Sequence, residues 1–288
     1  MHLHRDLIGR VYFIDSPGGR TVLKLYRPLD TENARQSIGI LQYLGKNDYP
    51  AVSIVPTNRG EMSIFIDAPE GLSVGILYDY VEGTTPDIET EIESIGLQVG
   101  RLHVLMEKCP HSLVRRTKGQ YVDDYIAVMN ELDYAQARIA ELAEYGDELW
   151  TRLRRLPRGF CHGDMHTGNM LQAGTGTYVL FDFDEASGDY PIVDVAYLSD
   201  NTDLNRFDDR AYDSTMRMFE RFYRGYSRQR SVGDAEVRAV FDIVAIRHYT
   251  ILGRIILRQG SQDISREFLD EQYEWLLNWR NLCERKRP

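Results

Sequence analysis

The sequence predicts an α+β fold in two lobes: a small β-rich N-terminal lobe with one helix, and a larger, mostly helical C-terminal lobe. Three observations carry this prediction. Up to about residue 82 the apolar residues form short runs rich in β-branched and aromatic side chains, punctuated by turn residues. Beyond Glu82-Gly83 they recur every three or four positions, the stripe of amphipathic helices. A single β-rich island, residues 160–183, interrupts the helical half. The lobes are therefore expected at 1–82 and 83–288, a length suited to two lobes. A crevice is expected at the connector, where ligand sites are commonly found.

Taken in order, residues 11–15 and 21–26 read as strands joined through Ser16-Pro17-Gly18-Gly19-Arg20, a hairpin connection. Asp30 or Thr31 is suited to cap a helix running to about Leu44, with Ile38, Leu41 and Leu44 on one face and Gly45 as the C-cap. Further strands are expected near residues 53–55, 62–67 and 73–80. In the second lobe Ile92, Ile95, Val99, Leu102 and Met106 mark the first helix. Others are expected at about 122–144, 210–226, 234–257 and 265–283. Within the last, Tyr273, Trp275 and Trp279 have the spacing of a packed face rather than of a cation cage.

Composition narrows the partners. With 43% hydrophobic and 27% charged residues and only 10 prolines, the chain is an ordinary folded one. Against 44 Asp+Glu stand 34 Lys+Arg, a net charge of −10, which suits neither a nucleic-acid backbone nor an anionic membrane. No nucleic-acid or membrane partner is expected. The three cysteines, Cys109, Cys161 and Cys283, are far apart and include no C-x-x-C pair, so neither a disulfide framework nor a zinc cluster is encoded. Without a signal-like apolar stretch or a membrane span, a cytoplasmic location is expected.

The island holds the chemistry. It reads His162-Gly163-Asp164-Met165-His166-Thr167-Gly168-Asn169, a glycine turn at 174–176, and Phe181-Asp182-Phe183-Asp184. If Ala173 pairs with Tyr178, the same register sets Asn169 opposite Asp182, roughly 4.5–5.5 Å apart at Cβ. Their oxygens then share one hard cation. Mg²⁺ takes oxygen ligands and leaves its other positions to water and substrate phosphates. Asp164, on the loop entering the hairpin, is placed to accept the proton of an attacking hydroxyl, and His162 to brace that loop on backbone. Phosphoryl transfer needs little more than a metal on the phosphates and a carboxylate that orients the nucleophile.

These residues resemble a known family. His162-x-Asp164-x4-Asn169 followed by Asp182 is similar to the catalytic and metal motifs of the kinase-like superfamily. In the form His-Gly-Asp-x-His-x-Gly-Asn it looks like aminoglycoside phosphotransferases and their choline-kinase and homoserine-kinase relatives. The resemblance implies a protein kinase-like fold and Mg²⁺-dependent transfer of the γ-phosphate of ATP or GTP to a hydroxyl of a small molecule. It assigns Asp164 as the base and Asn169 and Asp182 as metal ligands. By the same likeness Lys24 of Val22-Leu23-Lys24-Leu25-Tyr26 grips the nucleotide phosphates. Residues 77–83 look like the hinge, with the Asp79 carbonyl and Val81 amide on adenine, and Asp194-Val195-Ala196 resembles the family's structural aspartate.

Two departures accompany the likeness. The helix glutamate that pairs with the strand lysine in the family falls at Ser37, with Glu32 more than a turn earlier. No G-x-G-x-x-G precedes the first strands, only Gly9, so phosphate contact there rests on the amides of a short turn. Residues 182–209 hold nine acids against Arg206 alone, either a receptor for a cationic acceptor or a set of caps and solvated turns. Two alternatives stand beside the small-molecule kinase. One is a Ser/Thr protein kinase on the same fold, although only eleven residues separate Asp182 from Asp194. The other is a nucleotide-binding scaffold without turnover. The acceptor, the choice of ATP or GTP, and whether the chain acts as monomer or homodimer are left open by the sequence.

Overall fold

The structure, a computed structural model, describes residues 2–6, 9–69, 71–259 and 264–286. The N-terminal lobe is a five-stranded antiparallel sheet in the order β1-β2-β3-β5-β4 with one helix against it. Its strands are β1 (His2–Asp6), β2 (Gly9–Ser16), β3 (Gly19–Tyr26), β4 (Ile64–Ala68) and β5 (Gly71–Asp79). The β2–β3 hairpin turns through Pro17-Gly18, with the Ser16 hydroxyl bonded to Gly19 O at 2.9 Å and Gly19 at a φ of 116°. The strand expected at 53–55 is instead an irregular segment that bridges two elements. Ile54 pairs with Tyr78, and Ala51 pairs with Leu180 of the other lobe. Gly9, where a phosphate contact on the amides of a short turn was expected, is the first residue of β2, and residues 7 and 8 before it lie outside the described residues.

Helix α1 (Thr31–Lys46) runs two residues past the expected Leu44. Gly45 lies inside it, and Asp48 supplies the left-handed residue at a φ of 53°. The Tyr49 and Asp48 amides bond back to the Leu44 and Gly45 carbonyls, a Schellman motif, and the Tyr49 and Leu44 side chains are both buried.

The C-terminal lobe comprises α2 (Ile88–Met106), α3 (Asp124–Glu131), α4 (Gln136–Leu153), α5 (Ile192–Ser199), α6 (Ala211–Tyr226), α7 (Asp234–Gln259) and α8 (Arg266–Lys286). The stripe that predicted α2 is buried throughout, and the Asp87 side chain caps its first turn at 3.0 Å. The single helix expected over 122–144 is two. A π-helical turn, Gly119–Asp123, leads into α3, and a second Schellman motif with Asp133 at a φ of 50° separates α3 from α4. Periodicity missed this break because aspartate, unlike glycine, does not announce a left-handed residue.

Strands β6 (Met170–Gly174) and β7 (Thr177–Leu180) form the embedded hairpin. Among the described residues, no helix is long and apolar enough to cross a membrane.

Candidate active site

Between the lobes lies a cavity of about 400 Å³. Val11, Val22 and Val52 line it from the N-terminal lobe, Leu171 and Phe181 from the hairpin, and residues 78–81 from the chain leaving β5. Lys24, Asp79, Val81, Asn169 and Asp182 all face this one cavity. The Asp79 amide is taken by the Ser53 carbonyl at 3.0 Å. In a strand the C=O points to the same side as its own N–H, so the Asp79 carbonyl is turned away from β3.

The hairpin register differs from the expected one. Met170 pairs with Leu180 and Leu171 with Val179, and an irregularity between Gln172 and Gly174 absorbs one residue. Asn169 therefore stands opposite Phe181, whose amide donates to the Asn169 carbonyl at 3.1 Å. In a regular strand such a slip would send the side chain to the other face. Here Asp182 is left-handed, with φ 63° and ψ 57°, so the strand ends there and alternation no longer sets its direction. Asn169 and Asp182 meet in the cavity by this turn rather than by cross-strand pairing.

Much of the loop 161–169 is held by named contacts, the first three residues by one side chain. Asp194, fully buried on α5, accepts from the His162 amide (2.7 Å), the Gly163 amide (2.9 Å), the Cys161 thiol (3.3 Å) and His103 Nε2 (3.0 Å). Burial alone would raise the Asp194 pKa, but His103 and the His162 amide hold it below the usual carboxylate value. Gly163 has a φ of 79°, and a Cβ there would overlap the Glu185 carbonyl, so glycine is required by both backbone and space. The His162 ring packs on Phe183 with centroids 4.6 Å apart, and its Nε2 lies 3.1 Å from Phe181 O.

Asp164 follows. Asn169 Nδ2 donates to its carbonyl (2.8 Å) and to its Oδ2 (3.0 Å), which leaves Oδ1 for another partner and turns the Asn169 amide oxygen away. His166 accepts the Gly168 amide on Nδ1 and so carries its proton on Nε2, 3.7 Å from Asp164 Oδ2. Burial would raise the Asp164 pKa, but His166, then His162 and Arg254, hold it well below the ordinary value. The carboxylate is therefore ionised at neutral pH.

Lys24 meets two carboxylates, Asp182 Oδ1 at 2.7 Å and Asp184 Oδ2 at 2.6 Å. Desolvation opposes its charge, yet the two acids raise its pKa above the ordinary lysine value. Asp182 is lowered by Lys24 against the effect of burial. Asp184 is raised to about 6, first by burial and then by the neighbouring Asp182 charge, with Lys24 and the Tyr26 hydroxyl pulling the other way. Helix α1 supplies no acid to Lys24: Ser37 is buried against the cavity, and Glu32 pairs with Arg35 at 3.0 Å on the exposed face.

Sequence reasoning did not find Tyr26 or Tyr78. Tyr26 lies two residues after Lys24 and therefore on the same face of β3, a period-two signal that was available. The acidic run 182–209 is largely consumed inside the fold. Glu185 pairs with Arg116 and Arg254, Asp189 with Arg158 and Asp200 with Arg247, while Asp208 pairs with Arg210 on the exposed surface. Trp275 and Trp279 are buried and donate to the Asp203 and Phe241 carbonyls, so they belong to the core.

This geometry has relatives. An amicoumacin kinase in complex with AMP-PNP, Ca²⁺ and Ami superposes with a TM-score of 0.74 at 20% identity, covering 99% of this chain and 88% of that one. A microcompartment-associated aminopropanol kinase gives 0.74 at 17% identity, covering 99% and 91%. At such identities the likeness shows the kinase-like two-lobed fold. In sequence, an uncharacterized protein of Deinococcus radiodurans is 23% identical over 292 positions, 92% of this chain and 80% of the relative. The model of the phosphotransferase enzyme family matches residues 3–238, from the first strand through the motif loop and into α7. With most of its length matched in this way, the chain belongs to the phosphotransferase enzyme family.

Proposed function

We propose that the protein is a Mg²⁺-dependent kinase that transfers the γ-phosphate of ATP to a hydroxyl of a small molecule. The observation that carries this reading is the meeting of Lys24, Asn169 and Asp182 in one interlobe cavity, with Asp164, which is not among the lining residues, bonded to Asn169. Asp79 and Val81 would read the base. A carbonyl acceptor followed by an amide donor complements the adenine edge, which offers a donor and then an acceptor, and mismatches guanine. ATP is therefore favoured over GTP.

The donor set fits a hard divalent cation. Asp182 and the Asn169 amide oxygen would supply oxygen ligands, and the cationic Lys24 Nζ sits against Asp182. When bound, Mg²⁺ supplies neutralisation of the charge that builds on the phosphates during transfer. The chain's own residues do the rest. Lys24 holds phosphate oxygens, and Val11, Val22 and Leu171 give the base apolar walls. Asp164 Oδ1 orients the acceptor hydroxyl and takes its proton as the new O–P bond forms and the bond to the β-phosphate oxygen breaks. Between Asp182 and α5 the chain makes only a 3-10 turn and the short Cys161–Ser187 bridge, too little to seat a peptide, which supports a small acceptor.

The test is ATP turnover with aminoglycosides, choline, homoserine, aminopropanol and sugars as acceptors. Asp164→Asn is expected to lose about 10²- to 10⁴-fold in kcat while keeping its fold by circular dichroism. Wild-type turnover by that variant would end the reading.

A further inference from the structure

We infer that Asp184 and Tyr26 are positioning residues for Lys24, holding its ammonium toward the nucleotide phosphates from the C-terminal lobe. The inference rests on the nucleotide-binding reading above.

A lysine whose side chain is only 12% exposed needs a counter-ion. The helix behind β3 offers none, because Ser37 faces the cavity and Glu32 is engaged with Arg35 at the surface. Both acids on Lys24 come from the segment after β7. They are not equivalent. Asp182 lines the cavity, where a cation and phosphates would draw on its charge. Asp184 is buried behind it, with both oxygens committed: Oδ2 to Lys24 at 2.6 Å and Oδ1 to the Tyr26 hydroxyl at 2.9 Å.

The Tyr26 hydroxyl in turn lies 2.9 Å from that of Tyr78, the residue before Asp79. One buried chain of hydrogen bonds thus joins the base-reading edge to the phosphate-reading lysine. Held at both oxygens, Asp184 cannot rotate, so it fixes where Nζ sits. An ammonium has three donors; with two on Asp184 and Asp182, the third is left for a phosphate oxygen. The next turn is pinned to α1 as well. Gln36 Nε2 donates to Ala186 O at 2.7 Å, and its Oε1 accepts the Val114 amide at 2.8 Å.

The experiment is calorimetric binding of ATP with saturating Mg²⁺, and of adenosine, to wild type, Tyr26→Phe, Asp184→Asn, Lys24→Met and the two doubles carrying Lys24→Met. Tyr26→Phe, which leaves every charge in place, is expected to weaken ATP about fivefold, and Asp184→Asn about tenfold. Adenosine binding should move less than twofold, and each loss should shrink to within twofold once Lys24 is Met. Losses that add fully to Lys24→Met would show that Asp184 acts on metal alone and overturn the inference. Equal weakening of adenosine and ATP would show a merely structural role and overturn it too. Wild-type binding of ATP by Tyr26→Phe sinks this inference alone, whereas a wild type that binds no nucleotide sinks the proposed function with it. Should Asp184→Asn fail to fold, the Tyr26→Phe cycle decides.

Discussion

His248 is a buried imidazole outside the site. It stacks on Trp275 with centroids 3.5 Å apart and is 1% exposed, with the Gln272 side chain beside it as a weak pull toward the charged ring. Burial pushes its pKa down to about 3. The folded protein keeps the ring neutral, while the unfolded chain takes up a proton near the ordinary value of about 6.5. Because the unfolded state then binds more protons, this contribution is complete above about pH 6.5 and declines as the pH falls toward 3. Urea unfolding should show about 2 kcal/mol less stability from this group at pH 5 than at pH 7.5. His248→Phe, which keeps the stack, should flatten that limb; an unchanged slope would exclude His248 as its source. Residues differ in how far the sequence exposes them. Asp164, Asn169 and Asp182 were legible because the loop imposes a spacing. Asp184 stood out by its place two residues after Asp182, whereas the part of Tyr26 was hidden, because the carboxylate it meets is 158 residues away in the chain.

Among elements, the crossing of α2 and α6 shows backbone packed against backbone. A Cβ at Gly225 would overlap the Glu93 carbonyl, and one at Gly96 would overlap that of Phe222. Two helices in such contact have no side chain that can yield. Gly225→Ala is therefore expected to cost roughly 1–3 kcal/mol through overpacking, even though alanine favours an isolated helix. Equilibrium denaturation measures it, and a stabilised variant would mean that the helices separate freely. Helix α2 was legible from its stripe, since one face is buried along its whole length. The α3–α4 break and the hairpin register were not. Each turns on one residue, Asp133 in a left-handed conformation or the extra residue near Ala173, whose side chain does not signal the backbone it adopts.

At the scale of the molecule, the lobes are joined by more than the connector. Val52 donates to Leu180 O at 2.9 Å, Gln36 reaches Ala186, and Lys24 reaches Asp182 and Asp184. A nucleotide seated among these contacts binds only the folded arrangement. At 100 times its Kd, Mg²⁺-ATP should add about 2.7 kcal/mol, a rise of roughly 4–5 °C in Tm for a chain of this size. Excess chelator should remove most of the rise, and Asp182→Asn should abolish its metal-dependent part. A Tm indifferent to Mg²⁺ would contradict the assignment of Asp182 and Asn169.

The amino-acid sequence by itself determined the two-lobed plan and the loop that bears Asp164 and Asn169, because local periodicity and spacing are properties of neighbouring residues. Only the tertiary structure decided what stands against Lys24. A buried ammonium takes whichever carboxylate the packing brings within reach, and here that carboxylate comes from the opposite lobe rather than from the helix behind its own strand.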